Sequence, residues 1–364
     1  MDDLKSAPEG GLEWLNADGP DSDVVLSTRI RLARNLQGYR FGLRALESDR
    51  QSILQLTREA AGAIPLLRDG RIVSIPALDH GSRQLLLERH LVSRELVEGA
   101  GGGPPSNSAL MLAPHDPISV MVNEEDHLRL QCLVSGFRLH EAWALTDRLD
   151  EQLGDRLPYA YHLEFGYLTS CPTNVGTGLR ASVLIHLPGL VLTQEIGKVL
   201  QGIAQVGLTF RGLYGEGSEV VGNFFQISNQ TTLGKTEEEL IDHLQRIVQQ
   251  VVQYENQARA VLLRDARTVI EDKVWRAYGL LRHARSVPFD EVMNLLSGVR
   301  LGAGLKLLPG LRVEALNRVM IFCQAAHLEQ MAGAPLPSGE VDAYRAAYVR
   351  RTLAEEGDPS PERA

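Results

Sequence analysis

The 364-residue sequence changes its period at Thr236, and that change limits the fold more than any other feature. Thr236 and Glu239 stand at capping-box spacing, with hydroxyl and carboxylate placed to satisfy the free backbone amides that start a helix. Beyond them Leu240, Leu244, Ile247, Val248, Val251 and Val252 recur on one helical face. That pattern continues to about 356, broken near 286–288 and by the glycine-rich 299–310. Upstream, from 23 to about 230, short apolar runs alternate with Gly/Pro turns. Segments 23–35, 108–114, 118–123 and 182–192 read as strands, and 47–63 and 137–153 as helices. The stretch 99–108 reads as a loop joining a helix to strands. The order is not a regular βαβ alternation. The expected fold is α+β: an antiparallel sheet flanked by helices, then a mostly α-helical C-terminal domain. The expected divisions are a loosely docked segment 1–22, a first domain 23–255, a helical domain 256–356 and a disordered tail 357–364.

Composition removes several functions. A net charge of −9 argues against a general nucleic-acid binder. The N-terminus lacks the basic and apolar regions of a signal peptide, and no stretch approaches eighteen consecutive apolar residues. Cys132, Cys171 and Cys323 are too few and too far apart for a disulfide framework or a zinc site. A cytoplasmic protein is expected.

Four segments carry polar residues that a purely structural role explains poorly. In STRIRLARN (27–35), Arg29 and Arg31 alternate with Ile30 and Leu32, so on a strand both cations share one face. A solvated basic edge explains this as well as an anion site does. In VMVNEEDHLRL (120–130), Glu124, Glu125 and Asp126 fit a helix N-terminus, where the dipole favours acids, but Arg129 is then unexplained. In SCPTNVGTGLRASV (170–183), Gly176 and Gly178 suggest backbone close to a ligand, with Arg180 just beyond. Cys171 there could equally be a small buried residue. In FRGLYGEGSEVVGN (210–223), Arg211, Glu216 and Glu219 sit among four glycines, as in a lid or an ordinary surface loop.

Together these segments hold five arginines: Arg29, Arg31, Arg129, Arg180 and Arg211. Planar, paired guanidinium donors match phosphate oxygens, so such a gathering implies a polyanion such as a triphosphate. Glu125 and Glu216 among them imply a cation, either Mg²⁺ or a positively charged acceptor.

STRIRLARN, NEEDHLR and CPTNVGTGLRAS, in this order, resemble the motifs of the phosphagen (guanidino) kinases, the ATP:guanido phosphotransferase family, over roughly 23–255. RGLYGEGSEVVGNFFQISNQTTLG and EDKVWRAYGLLRHAR are similar to the bacterial protein-arginine kinase branch, which extends the resemblance over essentially the whole chain. Two departures from the small-molecule kinases point the same way. Only 26 residues precede STRIRLARN, so the helical domain that helps enclose a small guanidine is expected to be missing. The helical C-terminal domain is extra.

The resemblance implies transfer of the γ-phosphoryl group of ATP to arginine side chains of proteins. It implies ATP contacts from Ser27, Thr28, Arg29, Ile30, Arg31, His90, Arg129, Arg180, Ala181, Ser182, Val183, Leu184, Arg211, Gly212, Leu213, Tyr214, Gly215 and Glu216. Glu125 would orient the target guanidinium and act as base, Glu216 would be a second carboxylate, and Cys171 would lie beside the guanidinium. Mg²⁺ would be held mainly by ATP. The family further implies protein substrates with accessible arginines, a homodimer through the helical domain, a zinc-binding activator of the McsA type, and delivery of products to a Clp ATPase/protease in stress response. No nucleic-acid or membrane partner is implied. The branch also carries an RDxxRA motif forming an allosteric phosphoarginine pocket. Here Asp342, Arg345 and Ala346 fit it, but Val341 replaces the first arginine. Losing one charged hydrogen-bonding partner costs about 1.5–3 kcal/mol, so weakened activation by phosphoarginine is expected. Two other functions compete: a kinase for a free guanidino metabolite, and a non-catalytic adaptor that binds phosphoarginine. The short N-terminal segment counts against the first, and the intact carboxylates and arginines against the second.

Overall fold

The alternation at 29–32 forms a strand in the computed structural model, which describes residues 12–99, 102–114, 117–212, 220–337, 339–357 and 359. The strands of the described residues are β1 (Val25–Arg34), β2 (Arg71–Ser74), β3 (Ala109–Leu112), β4 (Ile118–Val122), β5 (Leu128–Ser135), β6 (Tyr161–His162), β7 (Gly166–Tyr167), β8 (Leu179–His186), β9 (Leu208–Arg211) and β10 (Phe224–Asn229). Eight of them form one sheet in the order β2-β3-β4-β5-β1-β8-β10-β9. Every neighbouring pair is antiparallel, as expected. β6 and β7 make a small separate hairpin.

The helices are α1 (Glu47–Gly62), α2 (His80–Glu88), α3 (Arg94–Glu98), α4 (Leu139–Gly154), α5 (Pro188–Leu192), α6 (Ile196–Gln205), α7 (Glu237–Asp265), α8 (Arg267–His283), α9 (Phe289–Gly304), α10 (Val313–Phe322), α11 (Ala325–Ala332) and α12 (Val341–Glu355). One face of the sheet is dry. Ile30, Leu32, Leu130, Cys132, Ala181, Val183 and Ile227 pack there with Ile53 of α1, Leu149 of α4 and Leu244 of α7. Fully burying each large aliphatic side chain contributes about 1.5–3 kcal/mol. A one-residue slip of β1 would turn Arg29 and Arg31 into this core, so the alternation fixes the register.

The opposite face is divided. Leu133 and Leu184 lie under the helical region, in a second core with Val274, Met293, Leu296, Met320 and Val349. Arg29 pairs with Leu133 across β1 and β5, so the arginines lie further along the same face. Part-buried polar contacts tie the helical region to the segment before β1. Arg259 Nη1 donates to Asp23 Oδ2 at 3.1 Å, and Arg300 Nη2 donates to the Ser22 carbonyl at 2.6 Å.

The capping box forms at the start of α7: the Glu239 amide donates to Thr236 Oγ1 (3.2 Å) and the Thr236 amide to Glu239 Oε2 (2.9 Å). α7 then runs unbroken across position 255 to Asp265. Two local expectations are overturned. Residues 188–192, expected to continue a strand, form α5, because Pro188 suits the first helical turn and cannot donate to a ladder. Glu124, Glu125 and Asp126 do not start a helix but form the turn joining β4 to β5. Asn123 adopts φ +58° there, a conformation Asn tolerates, and its amide donates to the His127 carbonyl at 2.8 Å. Of the expected tail, only Gly357 and Pro359 lie within the described residues. No helix of the described residues is long and apolar enough to cross a membrane.

Candidate active site

Cross-strand register assembles a cationic floor. Arg31 stands opposite Arg180 on β8 and Gln131 on β5, and Ala33 stands opposite Arg129. On the other side Gln226 of β10 pairs with Arg211 of β9. All five predicted arginines line one cavity of about 330 Å³, with His90, Glu125, Cys171 and Gly178. Burial pushes the Arg29 pKa down to about 10, with Arg180 and Arg129 repelling its charge further. Arg31 is lowered well below its ordinary value by burial and by Arg29, Arg129 and Arg180, with Glu124 only partly opposing them. A floor whose own cations repel one another is a place for an anion.

The β4–β5 turn sets the carboxylates. Arg129 Nη1 donates to Glu124 Oε1 at 2.6 Å, and Nη2 donates to Glu125 Oε2 at 3.2 Å. Burial opposes the Arg129 charge, but Glu124, Asp126 and Glu125 outweigh it and hold the pKa above the ordinary arginine value. Glu124 has no exposed side-chain surface, and its carboxylate also accepts from the Ser93 hydroxyl. Glu125 is 40% exposed at its side chain and looks into the cavity. Burial raises its pKa; Arg129 lowers it, and Asp126, Glu124 and Glu95 raise it again. Asp126 Oδ1 accepts from Asn35 Nδ2 (2.7 Å) and the Ser170 amide (2.6 Å), and Ser170 Oγ donates to the Glu125 carbonyl (2.7 Å). These bonds stitch the turn to the loop that carries Cys171, whose sulfur lies 3.0 Å from Thr173 Oγ1.

His90 enters from the end of α2. The Leu91 amide donates to the Leu86 carbonyl and the His90 amide to the Leu87 carbonyl, the hydrogen-bond pattern of a Schellman motif. The cap position of that motif needs left-handed backbone, which glycine supplies most cheaply; here it is His90 at φ +59°. A histidine there costs on the order of 1–3 kcal/mol of strain, and it places an imidazole against the floor. Burial, then Arg29 and Arg31, lowers the His90 pKa to about 3, so the ring is neutral. Its carbonyl accepts from Gln131 Nε2 at 3.0 Å.

Other predicted contacts divide by face. Ser27, Ser182 and Leu184 line a small recess beside the cavity, with Trp14, Leu133 and Gln226. Thr28 points away and its hydroxyl donates to the Gly136 carbonyl at 2.7 Å, while Ile30, Ala181 and Val183 belong to the dry core. Gly212 follows Arg211 directly; Leu213, Tyr214, Gly215 and Glu216, with Glu219, lie outside the described residues. Two glycines are also required by the packing of the chain on itself. A Cβ on Gly176 would meet the Thr232 carbonyl at 2.2 Å, and one on Gly178 the Ala33 carbonyl at 2.6 Å. Their close neighbour is the chain itself. Arg345 and Ala346 are buried; Arg345 donates from Nε to the Cys323 carbonyl (2.8 Å) and from Nη1 to the Val287 carbonyl (3.1 Å), and pairs with Asp342.

Sequence reasoning missed Gln131, whose amide bonds to the His90 carbonyl, and Gln226, whose Oε1 accepts from Arg29 Nη2 at 2.7 Å. Each shares a face with the arginines, Gln131 opposite Arg31 and Gln226 opposite Arg211, and that cross-strand pairing is not visible in the local sequence. A wider recess of about 1350 Å³ meets the cavity at Arg94, Glu95 and Glu125 and opens past Tyr39, Phe41 and Arg50.

Residues 53–258 match the family model described as ATP:guanido phosphotransferase, C-terminal catalytic domain, and residues 267–363 match that described as protein-arginine kinase McsB C-terminal domain. A protein-arginine kinase of Halalkalibacterium halodurans is 46% identical over 341 residues, 93% of this chain and 94% of that one. Another, of Moorella thermoacetica, is 46% identical over 350 residues, 95% of this chain and 98% of that one. Among solved structures, the duplicated taurocyamine kinase of Schistosoma mansoni superposes with a TM-score of 0.60 at 26% identity, over 66% of this chain and 34% of that longer one. Lombricine kinase shares the fold with a TM-score of 0.59 at 22% identity, over 70% of this chain and 73% of that one.

Proposed function

The chain belongs to the protein-arginine kinases of the ATP:guanido phosphotransferase family, and we propose that it moves the γ-phosphoryl group of ATP to protein arginines at this cavity. The observation that carries the reading is the placement of Glu125 between a floor of five arginines and a wide, open recess. The triphosphate suits the floor, since Arg29, Arg31, Arg129, Arg180 and Arg211 bring an excess of positive charge that a polyanion relieves. An arginine on a polypeptide suits the recess, where a small closed pocket would admit only a free metabolite.

Phosphoryl transfer is mostly positioning and charge neutralisation. A guanidinium is always protonated in water and a poor nucleophile. Glu125, held by Arg129 on one side, accepts hydrogen bonds from the incoming guanidinium and aims one nitrogen at the γ-phosphorus. As the N–P bond forms and the bond from phosphorus to the bridging oxygen breaks, Glu125 takes the proton from that nitrogen and ADP leaves. The raised pKa of Glu125 matches this task better than an ordinary carboxylate would. The arginines spread the charge on the transferring group. Mg²⁺ bound to the ATP phosphates would supply further neutralisation. Glu216 keeps the role of second carboxylate, and Cys171 that of a neighbour to the guanidinium. The helical region is proposed as a pairing surface, supported by Val269 and Leu280 on α8, which are 68% and 52% exposed. Asp342, Arg345 and Ala346 remain the proposed phosphoarginine pocket, and a McsA-type activator and a Clp protease remain the proposed partners.

Parallel reactions test the reading. The chain is incubated with Mg·ATP and either an unstructured, arginine-containing protein or free arginine, and acid-labile phosphate is located by mass spectrometry. Phosphoarginine on the protein alone is the expected result. Transfer to free arginine alone would replace the reading with a metabolite kinase.

A further inference from the structure

The residues just before His90 are bound to α11, far along the chain. Glu88 closes α2, and its carboxylate accepts from the backbone amides of Ala326 (3.0 Å) and His327 (3.2 Å) at the start of α11. α11 has no side-chain cap of its own, so Glu88 caps it from another element. The same carboxylate lies 2.7 Å from His327 Nδ1, and Arg89 Nε donates to His327 Nε2 at 3.2 Å. The imidazole is thus clamped between a carboxylate acceptor and a guanidinium donor, which assigns the proton to Nδ1. His327 and Arg89 are 1% and 5% exposed. The next residue is His90, in left-handed backbone and in the cavity wall. Left-handed conformations at non-glycine residues persist only where the surroundings over-determine them.

We propose that His327, with Glu88 and Arg89, is a positioning residue for the nucleotide: docking of α11 on the end of α2 holds His90 in the cavity wall and so sets nucleotide affinity. His327 touches no reacting atom and acts through His90. The support therefore comes from the helical region, whereas the floor comes from the sheet. The inference rests on reading the cavity as the ATP site.

The test uses the full-length chain and titration calorimetry with Mg·AMP-PNP. The variants are His327→Asn, His90→Ala and both together. His327→Asn keeps a donor toward Glu88 and removes the acceptor for Arg89. It is expected to weaken nucleotide binding ~10-fold, as a displaced site group does, and to change the KM for the protein acceptor less than about twofold. In the His90→Ala background it should add nothing, because the two act as one unit. Equal losses in both backgrounds, or no loss in either, would overturn the proposal. Wild-type protein that binds no AMP-PNP would overturn the reading of the cavity, and the inference with it. Glu88→Gln, which keeps one acceptor for the α11 amides, repeats the cycle should His327→Asn not fold.

Discussion

Arg31 and Arg180 stand directly opposite each other across the β1–β8 pair, both on the open face of the sheet. Like charges at cross-strand positions destabilise a sheet. The ligand-free protein therefore carries a repulsion that a bound polyanion removes. Arg31→Gln is expected to raise the stability of the ligand-free protein by ~0.5–1 kcal/mol and to weaken ATP binding by roughly 10- to 150-fold through loss of a charged partner. Thermal denaturation with and without Mg·ATP reads both effects. A variant destabilised without ligand, or stabilised by ATP as strongly as wild type, contradicts the account.

Glu125 separates binding from chemistry. Glu125→Gln keeps the shape and an acceptor but cannot take the proton. It is expected to lower kcat by about 10²–10⁴-fold and to leave the KM for ATP nearly unchanged. The pH dependence has a fixed sign. Activity requires the carboxylate, whose pKa is raised, so the acid limb of kcat/KM should lie above the ordinary carboxylate range. A limb at an ordinary glutamate pKa would show that another group limits the rate.

His90 contributes to acid sensitivity. Its folded-state pKa of about 3 lies below the ordinary 6.5, so between these values the unfolded chain binds the proton and the folded chain does not. The stability that depends on neutral His90 is therefore present above pH 6.5 and is lost as pH falls toward about 3. Urea denaturation across this window should show a shallower loss for His90→Gln than for wild type. Equal slopes would place the titrating groups elsewhere, with buried His186, also lowered, the next to vary.

Arg34 holds the end of β1 by a buried pair. Nε donates to both Asp150 oxygens at 3.1 Å, Nη2 donates to Oδ2 at 2.7 Å, and the guanidinium lies 3.5 Å from the Tyr167 ring centroid. Arg34→Met strands Asp150 and is expected to cost about 3–5 kcal/mol in urea denaturation; adding Asp150→Leu should restore most of it. A single-variant loss under about 1 kcal/mol would mean that Asp150 finds water.

Local rules carried much of this fold. The 29–32 alternation gave β1 and its two faces, and Thr236 with Glu239 gave the start of α7, because strand period and cap chemistry are written within a few residues. The arginines were legible as a group because their residue type is costly without an anion. The β4–β5 turn misled because acids suit a helix start and a tight turn alike. Gly176 was ambiguous for another reason: a missing Cβ shows that something is close but not what, and here it is the Thr232 carbonyl. Contacts such as Glu88 to His327, 239 residues apart, leave no trace in local pattern, since only the packed chain brings them together.

One cavity is proposed to hold both the triphosphate, on its arginines, and the acceptor guanidinium, on Glu125. A crystal structure with Mg·ADP, nitrate and an arginine-containing peptide tests it most directly, since planar nitrate stands in for the transferring phosphoryl group. Nitrate is expected among Arg29, Arg129, Arg180 and Arg211, with the peptide guanidinium paired to Glu125 and its backbone leaving through the recess beside Glu95. A guanidinium bound away from Glu125, with nitrate still on the arginines, would contradict it.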